Sequence, residues 1–298
     1  MKKSLYGFLS VFFAMICLIA EAQIQTPQAS AKASASTTVG LTDVSIDYWR
    51  PKMRGRKIYG ADGLVPYGEL WRTGANNGTV ITFSDDVKVA GTTVKKGNYM
   101  LLSIPGEAEW TLILYSDPSI GGNMAGYDKA KDAVRVNVKP ASVNPAVETF
   151  TVNITDISDD NTKANIEVAW ANVSVKLGFE VDYDEKVMKA IEAGTRVNPA
   201  NLMAAARYYF DTQRDLNQAL KWVNEYLATG NNAQQFWNVY FKAQVQHAMK
   251  DYAGAKATAQ QSMDIASKAP NDFGYVKLNE ELIAKINAEM PKTPVKKK

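Results

Sequence analysis

The sequence predicts an α+β chain of two domains, an antiparallel β-sandwich followed by an all-α helical domain. Three observations carry that expectation. Short runs that alternate apolar and polar residues fill the chain from about residue 33 to 177, no long helical pattern interrupts them, and the apolar spacing changes to a helical period near residue 180. Many short strands with turn residues between them fit two sheets packed face to face. With 298 residues, 46% of them hydrophobic, the chain has material for one large domain or two ordinary ones.

In chain order, Lys2 and Lys3 precede an apolar run over residues 5–20 that ends in Ala20-Glu21-Ala22 before Gln23. Residues 1–22 read as a secretory signal peptide with a small-x-small exit. The run is shorter than the roughly 20 apolar residues of a spanning helix, and Ile16 before Cys17 is bulky where a lipid-anchor signal places a small residue. No later segment could span a bilayer, so the expected mature protein is periplasmic or secreted, with no membrane span after cleavage. Cleavage also removes Cys17, the only cysteine, and with it any disulfide or thiolate ligand. Loss of Lys2, Lys3 and Glu21 lowers the formal charge by one from +3. That near-neutral balance carries no nucleic-acid footprint, and residues 291–298, with Lys292, Lys296, Lys297 and Lys298, read as a solvated basic tail.

Residues 23–180 form the expected sandwich. A Gln-, Ala-, Ser- and Thr-rich lead passes into a first strand near 33–39, and Val44-Ser45-Ile46-Asp47-Tyr48, 80–83 and Val87-Lys88-Val89 alternate. Residues 99–104 and 110–115 are denser apolar runs separated by Pro105-Gly106, which predicts a hairpin with a buried face. Val134-Arg135-Val136, Phe150-Thr151-Val152, Ile166-Glu167-Val168 and Val173-Ser174-Val175 continue the alternation as four more strands.

Residues 181–290 form the expected helical domain. Asn198-Pro199 supplies a cap followed by proline at a first helical position. Leu202, Ala205, Ala206 and Tyr209 then mark one apolar stripe, and Leu216, Ala219, Leu220 and Val223 a second. Phe236, Val239, Tyr240 and Ala243 form a third, and Tyr252, Ala255, Ala259 and Met263 a fourth. Asp215-Leu216-Asn217-Gln218-Ala219 and Asp251-Tyr252-Ala253-Gly254-Ala255 align at a shift of 36 residues. Over 199–268 the chain resembles the tetratricopeptide repeat family in degenerate form, with helices near 187–193 and 273–290 needed to complete the stack. The resemblance implies protein or peptide binding; a helical cap without a groove is the competing reading.

Much chemistry is missing. His247 is the sole histidine and lies at the edge of the third stripe, where a structural role is ordinary. One imidazole and no thiol leave no basis for Ser-His or Cys-His catalysis or a His/Cys metal site, and no phosphate-cradling glycine loop suggests a cofactor. The expectation is therefore no catalytic residue, no metal and no cofactor. Carboxylate catalysis needs only two acids, yet Asp85-Asp86 and Asp159-Asp160 fall in predicted turns, and 156–161 lacks a calcium-loop signature.

What stands out is Arg50, Arg54, Arg56 and Arg72 interleaved with Trp49, Tyr59, Tyr67 and Trp71. Guanidinium groups bind carboxylates and phosphates bidentately, and aromatic faces pair with sugar rings. Arg50, Arg56, Trp71, Arg72, Asn76 and Asn77 are the candidate ligand-binding residues, for a small anionic or glycan ligand. On the alternative reading Arg72 satisfies carbonyls or pairs with Asp43 or Asp47, while Trp71 plugs the sandwich end. Arg50-Pro51, Gly55-Arg56-Lys57-Ile58-Tyr59-Gly60 and VPYGELWRTGAN (65–76) resemble the domain of unknown function 2911 family. Gly97-Asn98-Tyr99, Ile104-Pro105-Gly106 with Trp110-Thr111, Gly126-Tyr127-Asp128 with Asp132 and Arg135, and Glu148-Thr149-Phe150 extend the match over about 27–178. The resemblance implies a β-rich exported bacterial domain and brings no established activity. The family places Glu-Ala before the threonine where Asn77-Gly78 stands here, so any acid chemistry of that glutamate is lost and hydrogen bonding is retained.

The expected role is non-catalytic binding, of an envelope protein partner through the helical domain and of a small anionic or glycan ligand through the Arg/Trp loops. A carboxylate-dependent hydrolase acting on envelope glycans and a purely structural envelope component are the alternatives.

Overall fold

A computed structural model describes residues 26–195 and 198–291; the expected signal segment and most of the basic tail lie outside them. The chain divides into two compact units between Tyr183 and Asp184. Among the described residues no helix is long and apolar enough to cross a membrane.

The first unit holds two antiparallel sheets. β1 (Ala31–Val39), β2 (Thr42–Arg50), β3 (Thr79–Phe83), β6 (Gly97–Ile104), β7 (Trp110–Tyr115) and β8 (Asp132–Val138) form the larger one in that order. β5 (Thr92–Val94), β4 (Val87–Val89), β10 (Lys163–Val181) and β9 (Ala141–Thr155) form the smaller, again in spatial order. Alternation decides which side chains meet between the sheets. In β2, Val44, Ile46 and Tyr48 are buried while Asp43 and Asp47 are exposed, and the inward residues join Phe83, Trp110, Phe150, Trp170 and Phe179 in one core.

Two features exceed what alternation alone predicts. β10 is a single strand of 19 residues where the sequence reads as two. Its register with β9 shifts around Ala171, which has φ of 53°, and both Trp170 and Ala171 are buried. A bulge bends the strand there and re-aims successive side chains to one side, so the pattern breaks without the strand ending. The dense runs of β6 and β7 are buried on both faces. Met100, Leu102, Ile113 and Tyr115 point away from the inner core and are covered by Leu70, Ile120, Met124 and Tyr127. The covering strap between β7 and β8 is three 3₁₀ turns, Pro118–Ile120, Met124–Gly126 and Lys129–Lys131.

Among the described residues the second unit has six α-helices: α1 (Asp184–Gly194), α2 (Ala200–Asp211), α3 (Leu216–Leu227), α4 (Phe236–Ala248), α5 (Tyr252–Ala266) and α6 (Tyr275–Glu289). Each from α2 onward packs on the next in sequence. Asn198 accepts from the Ala200 N–H at 2.9 Å, capping α2 ahead of its first turn. The residues related by 36 positions hold equivalent places. Asp215 caps α3 by accepting from the Asn217 and Gln218 N–H groups, and Asp251 caps α5 by accepting from Gly254. The apolar stripes close two clusters, one around Ala206, Ala219, Val223 and Phe241, the other around Ala243, Ala255, Ala259 and Ile286.

Candidate functional site

The 65–79 segment is held by backbone and hydroxyl contacts at its centre. Trp71 exchanges both backbone hydrogen bonds with Ser103 of β6, at 2.8 and 2.9 Å, just beyond the point where β3 pairs with that strand. Thr73 is fully buried with φ of 51°, an uncommon conformation for a β-branched residue. Its hydroxyl lies 2.8 Å from that of Ser103, and its carbonyl accepts the Thr79 hydroxyl. Gly74 is required by space and by φ of 122°: a Cβ there would come within 3.2 Å of the Trp49 carbonyl and 3.4 Å of the Phe150 ring.

That fixed segment sends neighbouring side chains to opposite faces of the larger sheet. Trp71 goes inward. Its ring stacks on Trp170 (centroids 6.0 Å apart, planes 20° apart) and meets Tyr59, Trp110 and Phe150 edge-on. The indole N–H donates to the Gly74 carbonyl at 3.2 Å. Arg72 goes to the outer face, where its stem lies beside Gly122 and beside Gly78, the glycine that Met100 of the outer cluster also approaches.

Beside Trp71 a cleft of about 410 Å³ opens between the 51–56 turn and the 64–75 segment. Lys52, Arg54 and Arg56 line it, with Leu64, Trp71 and Trp170 among its apolar residues, and no carboxylate among the lining residues. Arg54 sits at φ of 50° and its backbone N–H donates to Glu148 Oε1 at 2.9 Å. Its guanidinium has only a 3.5 Å contact with the Ala29 carbonyl. Arg56 is committed to its own turn, donating to the Met53 and Lys52 carbonyls at 3.0 and 2.6 Å.

The six sequence-predicted residues therefore separate. Arg56, Trp71 and Arg72 all line the cleft, and the Arg72 stem runs on past Gly78 to Gly122 on the outer face. Arg50 lies apart, donating to the Phe150 carbonyl at 3.1 Å and the Thr151 hydroxyl at 3.0 Å, which ties β2 to β9. Asn76 and Asn77 are exposed at the loop tip. Arg72 pairs with neither Asp43 nor Asp47; its Nε is buried without a hydrogen-bond partner. Lys52 enters the cleft although single-residue reading passed over it. Its signal was position, between Arg50-Pro51 and Arg54 in the same turn.

The other residues of interest have structural partners. Tyr127 donates to both oxygens of Asp132, which also pairs with Arg135 at 3.4 Å, and burial together with that carboxylate pushes the phenol up to about 12. Asp156 pairs with Lys176, and Asp160 accepts from Ser158 and Thr162 within its turn. Among the described residues no group of three or more His, Cys, Asp or Glu side chains could hold a metal ion. In the helical unit a groove of about 570 Å³ is lined by Tyr240, Gln244, Tyr252, Leu278 and Lys285, with His247 bonded to Glu289 at 2.8 Å within it.

Comparison with known proteins places the first unit. No curated protein and no solved structure matches the chain. A family model described as a protein of unknown function, DUF2911, matches residues 30–179, from the start of β1 to near the end of β10. By this match, and with the motif residues 50–60 and 65–76 forming the turn and loop around the cleft, the chain belongs to the DUF2911 family.

Proposed function

We propose that the protein is an exported, non-catalytic binding protein whose β unit takes a small anionic ligand in the cleft beside Trp71. The observation that carries this reading is the sign of the lining: Lys52, Arg54 and Arg56 face a cavity whose lining residues include no carboxylate. A guanidinium and an ammonium with open donor positions favour a carboxylate or phosphate group, and about 410 Å³ suits a metabolite-sized molecule. The aromatic residues argue against sugar stacking as the main contact. Trp170 is 1% exposed, and one face of Trp71 is taken by Trp170 while its surroundings are filled by Tyr59, Trp110 and Phe150. A carboxylate-dependent hydrolase would need acids in the cleft, so the lining favours binding over that alternative.

The test is thermal melting of the purified protein against acetate, citrate and phosphate. Binding raises the melting temperature, and the double substitution Lys52→Gln, Arg54→Gln reduces the rise while leaving the far-ultraviolet spectrum unchanged. If no anion shifts the wild-type melt, the ligand reading fails. Export is tested separately: secretion with a new N-terminus at Gln23 supports it, and an intact Met1 in the soluble cytoplasmic fraction refutes it.

The helical unit, on this proposal, is a degenerate tetratricopeptide-like array that meets an envelope protein partner through the groove at Tyr240, Tyr252 and Leu278. The equivalent caps at Asp215 and Asp251 support the repeat relationship. Crosslinking in envelope extract should yield one partner whose capture is lost in Tyr240→Ala; capture unaffected by that change counts against the groove.

A further inference from the structure

We propose that the outer face of the larger sheet carries a second oxoanion site, independent of the cleft cations Lys52 and Arg54, in which Arg72 is the principal donor and Asn77 a supporting one. Its ligand class is a carboxylate or phosphate group presented at the seam between the 72–78 loop and the 117–126 strap.

The first support is an unmet donor. Arg50 and Arg56 spend their guanidinium groups on the protein's own oxygens. The Arg72 Nε is buried and has no hydrogen-bond partner, and no hydrogen bond or ion pair engages the rest of its head among the described residues. A buried N–H on a cation is costly to leave unmatched, and an oxoanion satisfies Nε and Nη together with two parallel bonds.

The second support is the way the seam is built. Gly121 and Gly122 bring the strap onto the loop so closely that a Cβ at Gly122 would lie 2.6 Å from the Asn76 carbonyl. The same Cβ would lie 3.9 Å from Arg72 Cδ, and one at Gly121 would lie 3.9 Å from Asn77 Oδ1. Arg72 and the Asn77 carboxamide therefore flank the same glycine pair. Asp117, the acid at the start of the strap, is already engaged by Lys131 at 2.7 Å and by Ser119, so it does not neutralise Arg72. Asn77 is an uncharged amide, so it sets no like charge in the path of an incoming anion.

The experiment follows the Arg Nε–Hε signals of ¹⁵N-labelled purified protein during titration with inorganic phosphate, the Arg72 signal being assigned by its absence in Arg72→Lys. A saturable shift of that signal is expected, and it should persist in Lys52→Gln, Arg54→Gln, which disables only the cleft. Asn77→Ala should weaken the Arg72 response about tenfold. The inference is overturned if the Arg72 signal stays fixed while phosphate is added, or if it moves only when the cleft cations are intact. The latter outcome would leave the cleft proposal standing, and a response at Arg72 with no melting shift from the cleft would do the reverse.

Discussion

The β unit buries its largest aromatics completely, while the helical unit buries a whole set of alanines between its helices. Trp110, Trp170, Phe83, Phe150 and Phe179 are all under 2% exposed in the first; in the second Ala206, Ala219, Ala243, Ala255, Ala259 and Ala266 are at 0–1%. The buried polar groups differ in kind: Thr42, Thr73, Thr79, Ser103 and Ser174 bury only hydroxyls in the sandwich, whereas Asn238, Gln246 and Asn279 bury carboxamides among the helices, beside Thr258 and Ser262. Ser262 donates to the Phe236 carbonyl at 2.8 Å and accepts from Asn279 at 3.0 Å, which binds α4, α5 and α6 together. Large aromatics fix the sandwich and its loops through interlocking volume, whereas alanines let helices approach closely enough for short hydrogen bonds to set their register. The two interiors should therefore fail in opposite ways.

Truncation of a buried aromatic should cost the most. Trp170→Ala should destabilise the β unit by about 3–5 kcal/mol, because it opens a cavity under Trp71, Tyr59 and Phe150 at once. Denaturant unfolding measures the loss, and the cleft should stop binding anions under conditions where the helical unit is still folded. A cost under about 1 kcal/mol would mean the cluster does not position the 65–79 loop.

Enlargement is the counterpart. Ala259 is fully buried between α5 and its neighbours, so Ala259→Leu should cost about 1–3 kcal/mol by overpacking. An equal or stabilising result in the helical melt would show slack between those helices and remove the contrast.

The same difference governed what the sequence made legible. Period-two alternation located most strands and the helical stripes located α2 to α5, because one face of each is apolar and the other wet; α1 and α6 are expected only as the flanks that complete the stack. The bend at Ala171 was hidden, since a bulge changes facing without interrupting the apolar residues. The strap over Met100 and Ile113 was hidden for another reason: a run buried on both faces looks the same whatever covers it. At the candidate site, residue type pointed to arginines and to Trp71, but only the local backbone shows that Trp71 and Arg72 serve opposite faces. The commitment of Arg50 to β9 rests on residues about 100 positions away, beyond any local pattern.

A smaller effect separates the two repeat-related caps. Asp215→Ala should cost about 1 kcal/mol, the ordinary loss of a helix cap. Asp251→Ala should cost about 2 kcal/mol, because the Asp251 carboxylate also accepts from the mostly buried Gln246 amide at 3.0 Å, whose N–H would be left without it. Equal losses would indicate that the Gln246 contact adds nothing.

The smallest effect is a titration that the two units share for parallel reasons. Burial first, and then a hydrogen bond to a carboxylate, pushes Tyr127 in the β unit and Tyr208 in the helical unit each up to about 12, through Asp132 and Asp184 respectively. A phenol whose folded value exceeds its unfolded value of about 10 holds its proton more tightly when folded, so its stabilising contribution is complete below about pH 10 and is lost as pH rises toward 12. Absorbance at the phenolate band should accordingly show a late phase from these two tyrosines, with the more deeply buried Tyr59 later still. Tyr127→Phe and Tyr208→Phe should each remove one phenolate from that phase. If Tyr127→Phe leaves the late phase unchanged, the Tyr127–Asp132 bond does not form in solution, and the strap that carries Gly121 and Gly122 loses one of its ties to the sheet.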